Sequence, residues 1–175
     1  MVKETTLPKE SLLHNYFSKT DYEDSFMTSI NSKRHLPIDN VIKAFLTSAP
    51  TWVITLMKVR DKIAKVLKLK THSGADPAIT LAQSSFEVGE KFGLFELTDK
   101  TQHEAILGTD DSHLNFRVSL LVNQELGQPN ELYISTIVRI NNKMGWVYFN
   151  TIDQFHKLVV KSFLKKMREN LEKNF

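Results

Sequence analysis

The chain has 175 residues, enough for one domain with a substantial core, and its 41% hydrophobic and 25% charged content is that of a globular protein rather than a disordered one. It has no cysteine, which excludes disulfides, thiolate nucleophiles and cysteine-ligated zinc or iron–sulfur centres. A net charge of +3 falls short of the dense basic face of a dedicated nucleic-acid binder, so no nucleic-acid partner is expected.

The first ten residues hold no apolar run suited to a signal peptide. Lys, Asp or Arg interrupts the apolar stretches too often for a bilayer span. The expectation is a cytoplasmic protein without membrane insertion.

Residues 1–20 show little pattern and are expected to form an N-terminal extension, with Leu12, Leu13, Tyr16 and Phe17 packing on the body. One domain over residues 21–175 follows. Residues 21–30 alternate loosely and predict an opening strand. Pro37-Ile38-Asp39 predicts a helix start with Asp39 as its N-cap, and Val41, Ile42, Phe45 and Leu46 give that helix an apolar face. Pro50 ends it and suits the first turn of a second helix, whose apolar face runs from Trp52 to Leu67 with Lys58, Lys62, Lys65 and Lys68 opposite. Residues 71–77 are a loop.

The period then changes from helical to alternating. Residues 92–98 and 103–109 predict paired strands, and 113–122 a third. There Leu114, Phe116, Val118, Leu120 and Val122 point one way and His113, Asn115, Arg117 and Ser119 the other. Residues 127–130 are a turn, and 132–141 another strand. Residues 146–173 predict a long amphipathic helix, with Phe149, Ile152, Phe155, His156, Val159, Phe163, Met167 and Leu171 recurring every three or four residues. The order predicts an α+β fold: an antiparallel sheet curved around a long C-terminal helix, with two shorter helices after the first strand. Curvature would leave a gap beneath the helix, filled by side chains or open as a pocket.

Asp110-Asp111-Ser112-His113 suggests metal or acid–base chemistry, but adjacent residues of an extended chain point apart. Asp/Ser clusters before strands are ordinary turn chemistry, so no metal is expected. If the face carrying His113, Asn115 and Arg117 is concave, these groups, with Ser135, Arg139 and Asn141 from the neighbouring strand, would orient a ligand, Arg117 taking an acid group. If it is convex, it is simply the solvated side of a half-buried sheet, the simpler expectation. His156 lies near the apolar face of the last helix and has the right reference pKa to move a proton, although a buried hydrogen-bonded histidine is commoner. Trp52 is expected in the core, with a cavity mouth as the alternative. No glycine-rich phosphate loop, Gly-x-Ser-x-Gly elbow or His-Glu-x-x-His motif occurs, and no cofactor is expected.

The narrower resemblance rests on Pro50-Thr51-Trp52 with Leu56-Met57-Lys58-Val59-Arg60, the run Gly108 to Ser119, Thr136-Ile137-Val138, Asn141 to Gly145, and Phe155 to Val160. With these segments the chain resembles a bacterial domain family of unknown function. That family falls within the helix-grip superfamily of START lipid-transfer domains, polyketide cyclases and birch-pollen-allergen proteins. The resemblance spans roughly residues 21–166. It implies a cavity for a small apolar or amphipathic molecule and assigns no catalytic residue. The leading expectation is therefore a binding module. A cyclase- or dehydratase-type enzyme would use the same cavity, with Arg117 fixing an oxygen and His156 or His113 moving a proton. A third reading is an interaction domain without an open cavity, working through surface contacts as in a homodimer.

Overall fold

The structure is a computed structural model and describes residues 1–32, 34–55, 84–125 and 127–174. The alternating segments predicted from sequence form strands β2 (Tyr22–Ile30), β4 (Phe95–Lys100), β5 (Glu104–Asp110), β6 (Leu114–Asn123) and β7 (Asn130–Ile140). Two short strands, β1 (Lys3–Thr5) and β3 (Lys91–Phe92), lie at the edges. The seven strands form one antiparallel sheet in the order β1-β2-β7-β6-β5-β4-β3. The α+β class, the antiparallel sheet and the long C-terminal helix are as predicted.

Helix α1 (Ile38–Thr47) and helix α2 (Lys143–Asn174) cover one face of the sheet. Helix α2 lies over β2 and β7 and also touches α1, which reaches β5 and β6. Between them sits the main core: Phe26, Ile30, Val41, Ile42, Leu97, Leu107, Leu120, Leu132, Ile134, Leu164 and Met167 are all essentially sealed. Burying each such side chain contributes about 1.5–3 kcal/mol, an upper estimate because the unfolded chain is already partly collapsed.

Several local expectations are corrected. The strand at residues 22–30 is the second in the sheet, because Lys3–Thr5 pairs with its Ser25–Met27 edge. Asp39 does not cap α1. Pro37 occupies the cap position without a side-chain hydrogen bond, and Asp39 reaches across to Lys100 Nζ at 3.2 Å. Residues 51–55 are helical after Pro50, as predicted, but Trp52 is 44% exposed while Val53 takes the buried position. Arg60, the rest of the predicted second helix and the predicted loop at 71–77 fall outside the described residues.

The inward stripe of α2 keeps Phe149, His156, Met167 and Leu171 as predicted but is displaced by one residue between them. It runs Phe149, Asp153, His156, Val160, Leu164, Met167, Leu171, in steps of four and three, whereas Phe155 is 47% exposed. Two polar residues therefore occupy positions that the packing would otherwise give to apolar ones.

The helix begins where its chain passes close to the sheet. A Cβ on Gly145 would collide with the His113 carbonyl oxygen, so only glycine permits this approach. Asn142 Oδ1 accepts from the Gly145 amide at 2.9 Å and satisfies one of the free donors of the first turn.

Candidate functional site

Alternation in β2 places Tyr22, Asp24, Phe26, Thr28 and Ile30 beneath α2. In β7 the corresponding set is Leu132, Ile134, Thr136, Val138 and Ile140, and Asp24 lies directly across from Thr136. Asp153 and His156 descend onto the same place from α2. Together the five polar residues Tyr22, Asp24, Thr136, Asp153 and His156 interrupt the apolar layer. They separate the main core from a smaller cluster built on Leu114, Val138, Tyr148 and Phe149.

Asp24 is the centre of this patch. Its side chain is only 3% exposed. The Tyr22 hydroxyl donates to Asp24 Oδ2 at 2.7 Å, and His156 Nε2 stands 3.4 Å from the same oxygen. The Tyr22 ring meets His156 edge-on at 5.8 Å and Phe149 at 4.9 Å. Burial, reinforced by the carboxylates of Asp24 and Asp153, pushes the Tyr22 phenol above its ordinary range, so it stays a hydrogen-bond donor at any physiological pH. His156 keeps 24% of its side chain accessible and forms the solvent side of the patch.

Three oxygens here, those of the carboxylates Asp24 Oδ1 and Asp153 Oδ1 and of the hydroxyl Thr136 Oγ1, are shielded from solvent without a hydrogen-bond partner among the described residues, as is the His156 ring nitrogen Nε2. Leaving a buried polar atom unpaired costs about 1–3 kcal/mol. Buried polar atoms in proteins are otherwise nearly always paired, so three at one place require an explanation. Water or a bound molecule would satisfy them. Among the described residues no group of three or more His, Cys, Asp or Glu side chains is placed to hold a metal ion.

The sequence-predicted site residues are distributed differently. Arg117 and Ser119 lie on the opposite face of the sheet, and that face is covered there rather than solvated. The segment around the 3₁₀ turn Leu12–Asn15 packs on it through Leu7, Leu13, Ile106 and Ile137. Arg117 is 7% exposed. It donates to Asp110 Oδ1 and to the Phe116 carbonyl, both at 2.8 Å, beneath the rings of Tyr16 and Phe17. Glu104, 3% exposed, accepts from Ser119 Oγ at 2.5 Å, Ser11 Oγ at 2.6 Å and the Leu12 amide at 2.8 Å. The solvated-face expectation thus fails because the N-terminal residues supply a second cover and a polar network to match it.

His113 leaves the ladder. It precedes β6, is buried, and packs edge-on against Tyr148 of α2 at 5.0 Å, with Asp111 at 3.5 Å. The side-chain amides of Asn115 and Asn141 meet at 2.8 Å near the surface, and Arg139 is exposed. His113, Arg117 and His156 do not converge. Of the predicted set, only His156 lies in the patch beneath α2. Tyr22, Asp24, Thr136 and Asp153 were not singled out from sequence. The available signal was Asp24, an acid among the inward positions Tyr22, Phe26 and Ile30.

Among the described residues, no helix is long and apolar enough to cross a membrane. A model of the family described as "Protein of unknown function (DUF2867)" matches residues 16–163. No curated protein matches the chain. A solved structure, the "conserved protein from Geobacillus kaustophilus", is 15% identical with a TM-score of 0.32, over 45% of this chain and 55% of that one. The match thus spans about half of that protein's length, and the likeness is too slight to carry an inference.

Proposed function

The chain belongs to the DUF2867 family of proteins of unknown function, and we propose that it is a binding module of the helix-grip type. Its ligand is a small amphipathic molecule held between the sheet and α2, at Tyr22, Asp24, Thr136, Asp153 and His156. The observation that supports this is the group of buried oxygens without partners in an otherwise apolar layer. Two belong to carboxylates, which accept, and the third is the Thr136 hydroxyl, which accepts or donates. The complementary ligand head is a hydrogen-bond donor, an amine or a hydroxyl, and its apolar part lies against Phe149 or toward Val160. Arg117, which the sequence offered to an acid group, lies on the other face with its own acid partner.

Isothermal titration with straight-chain alkylamines and alkanols tests this. We expect saturable binding that weakens by tenfold or so in Asp24→Asn and in Thr136→Val, each of which removes one hydrogen bond to the head. Binding that ignores both substitutions, or no binding of either series, would refute it. The close approach of Asp24 and His156 favours one alternative, a proton-transferring enzyme using this same patch.

A further inference from the structure

We propose a second site, on the outer flank of α2, for a single-chain amphipathic anion such as an alkyl carboxylate. A groove of about 380 Å³ runs there between the N-terminal residues and the helix, within the size range of small-molecule sites. Val2 forms its apolar wall and also packs on the main core. Leu158, 58% exposed, supplies an apolar surface that nothing else among the described residues covers.

Lys161, Lys165 and Arg168 line the same groove, and no acid does. Leu158, Lys161, Lys165 and Arg168 follow at three- and four-residue spacing, with Ser162 beside Lys161, so they form one stripe of α2. From Leu158 to Arg168 this stripe is about 15 Å long at 1.5 Å per residue. Acids stand only at its ends. Glu4 is spent mainly on Lys157 at 2.7 Å and approaches Lys161 only to 4.0 Å. Glu172 Oε2 lies 3.8 Å from Arg168 Nε, too far for a hydrogen bond, and that nitrogen is shielded from solvent without another partner among the described residues. An apolar strip beside Lys165, which makes no ion pair among the described residues, and beside Lys161 and Arg168, whose ion pairs are long at 4.0 and 3.8 Å, complements a molecule with a hydrocarbon chain and one negative head. The preference is opposite in sign to that of the patch beneath α2, so the two sites are separable.

Titration calorimetry with decanoate, and with methyl decanoate as an uncharged control whose head offers no donor to the inner patch, tests the proposal on the full chain. Decanoate is expected to bind more tightly than methyl decanoate. Its affinity should fall by about tenfold in Lys161→Gln/Lys165→Gln, the weight of two surface charge contacts, and should also fall with salt. A circular dichroism melt of the variant establishes that it is folded. Decanoate binding unchanged in the folded variant would overturn the groove assignment and place the molecule elsewhere, without touching the reading of the inner patch. Absence of decanoate binding would overturn the proposal outright. Sedimentation with phosphatidylglycerol vesicles but no decanoate binding would assign the cations to a membrane surface instead, which also overturns it.

Discussion

Replacing Glu104 with alanine should detach the N-terminal segment from the sheet. The carboxylate is 3% exposed and accepts three hydrogen bonds, from Ser11 Oγ, Ser119 Oγ and the Leu12 amide. Two of the donors belong to the segment and one to β6, so Glu104 joins the two layers. A hydrogen bond to a charged group contributes about 1.5–3 kcal/mol, and such bonds made by one acceptor are far from additive. Removal also leaves Ser119 Oγ, with 0% exposure, short of a partner. We expect a loss of about 3–4 kcal/mol, less than the roughly 4.5–9 kcal/mol that three such bonds would give if they added. For a chain of this size that is a fall in Tm of roughly 6–16 °C. Glu104→Gln keeps one acceptor oxygen and the shape, and should lose less. Urea denaturation of both variants measures the cost. A Ser11→Ala/Glu104→Ala double-mutant cycle then isolates the link between layers. A loss below about 1 kcal/mol in Glu104→Ala, or no coupling with Ser11, would refute the claim that this carboxylate holds the segment down.

Other substitutions probe the helix start, the polar patch and a surface turn. Gly145→Ala should destabilise by about 1–3 kcal/mol in chemical denaturation, because its methyl collides with the His113 carbonyl where α2 meets β6. Replacing both Asp24 and His156 with leucine should leave stability unchanged or raise it by about 1–4 kcal/mol, as seen when buried ionic groups give way to apolar ones, while abolishing ligand binding. A clear loss of stability there would mean that the patch is structural. Glu90 accepts from Ser84 Oγ, Ser85 Oγ and the Glu87 amide, and these bonds hold its pKa down to about 2. Its folded value lies below its unfolded value near 4.5, so its contribution is fully present above that pH and is lost as pH falls toward about 2. The stability gap between wild type and Glu90→Gln should therefore be constant above pH of about 5 and shrink steadily below about 4.5.

Strands and the long helix were legible because periodicity depends only on local sequence. Leu114 to Val122 alternates cleanly and forms β6, and the three- and four-residue recurrence after residue 143 forms α2. What lies on top of each face was not legible, because that depends on contacts between distant segments. Arg117 and Ser119 read as solvent-facing because the residues that cover them, Ser11 to Phe17, are about a hundred positions away and weakly patterned. The rotation of α2 was missed for a similar reason. Phe155 and His156 are neighbours that both fall on the recurring stripe, and periodicity alone does not choose between them. The sheet instead offers Asp24 and Tyr22 at that point, and histidine fits them. Asp24 and Thr136 meet only because β2 pairs with β7, a pairing of residues more than a hundred apart in sequence.

The most direct test of the inner site is native mass spectrometry after incubation with a small-molecule extract of bacterial cells. Wild-type protein and Asp24→Leu/His156→Leu should be compared side by side, with organic extraction of whatever remains bound. We expect a discrete mass increment on the wild type, a donor-headed amphipathic molecule in the extract, and its loss from the variant. A ligand retained equally by the variant, or an unliganded mass for both, would contradict the proposed inner site.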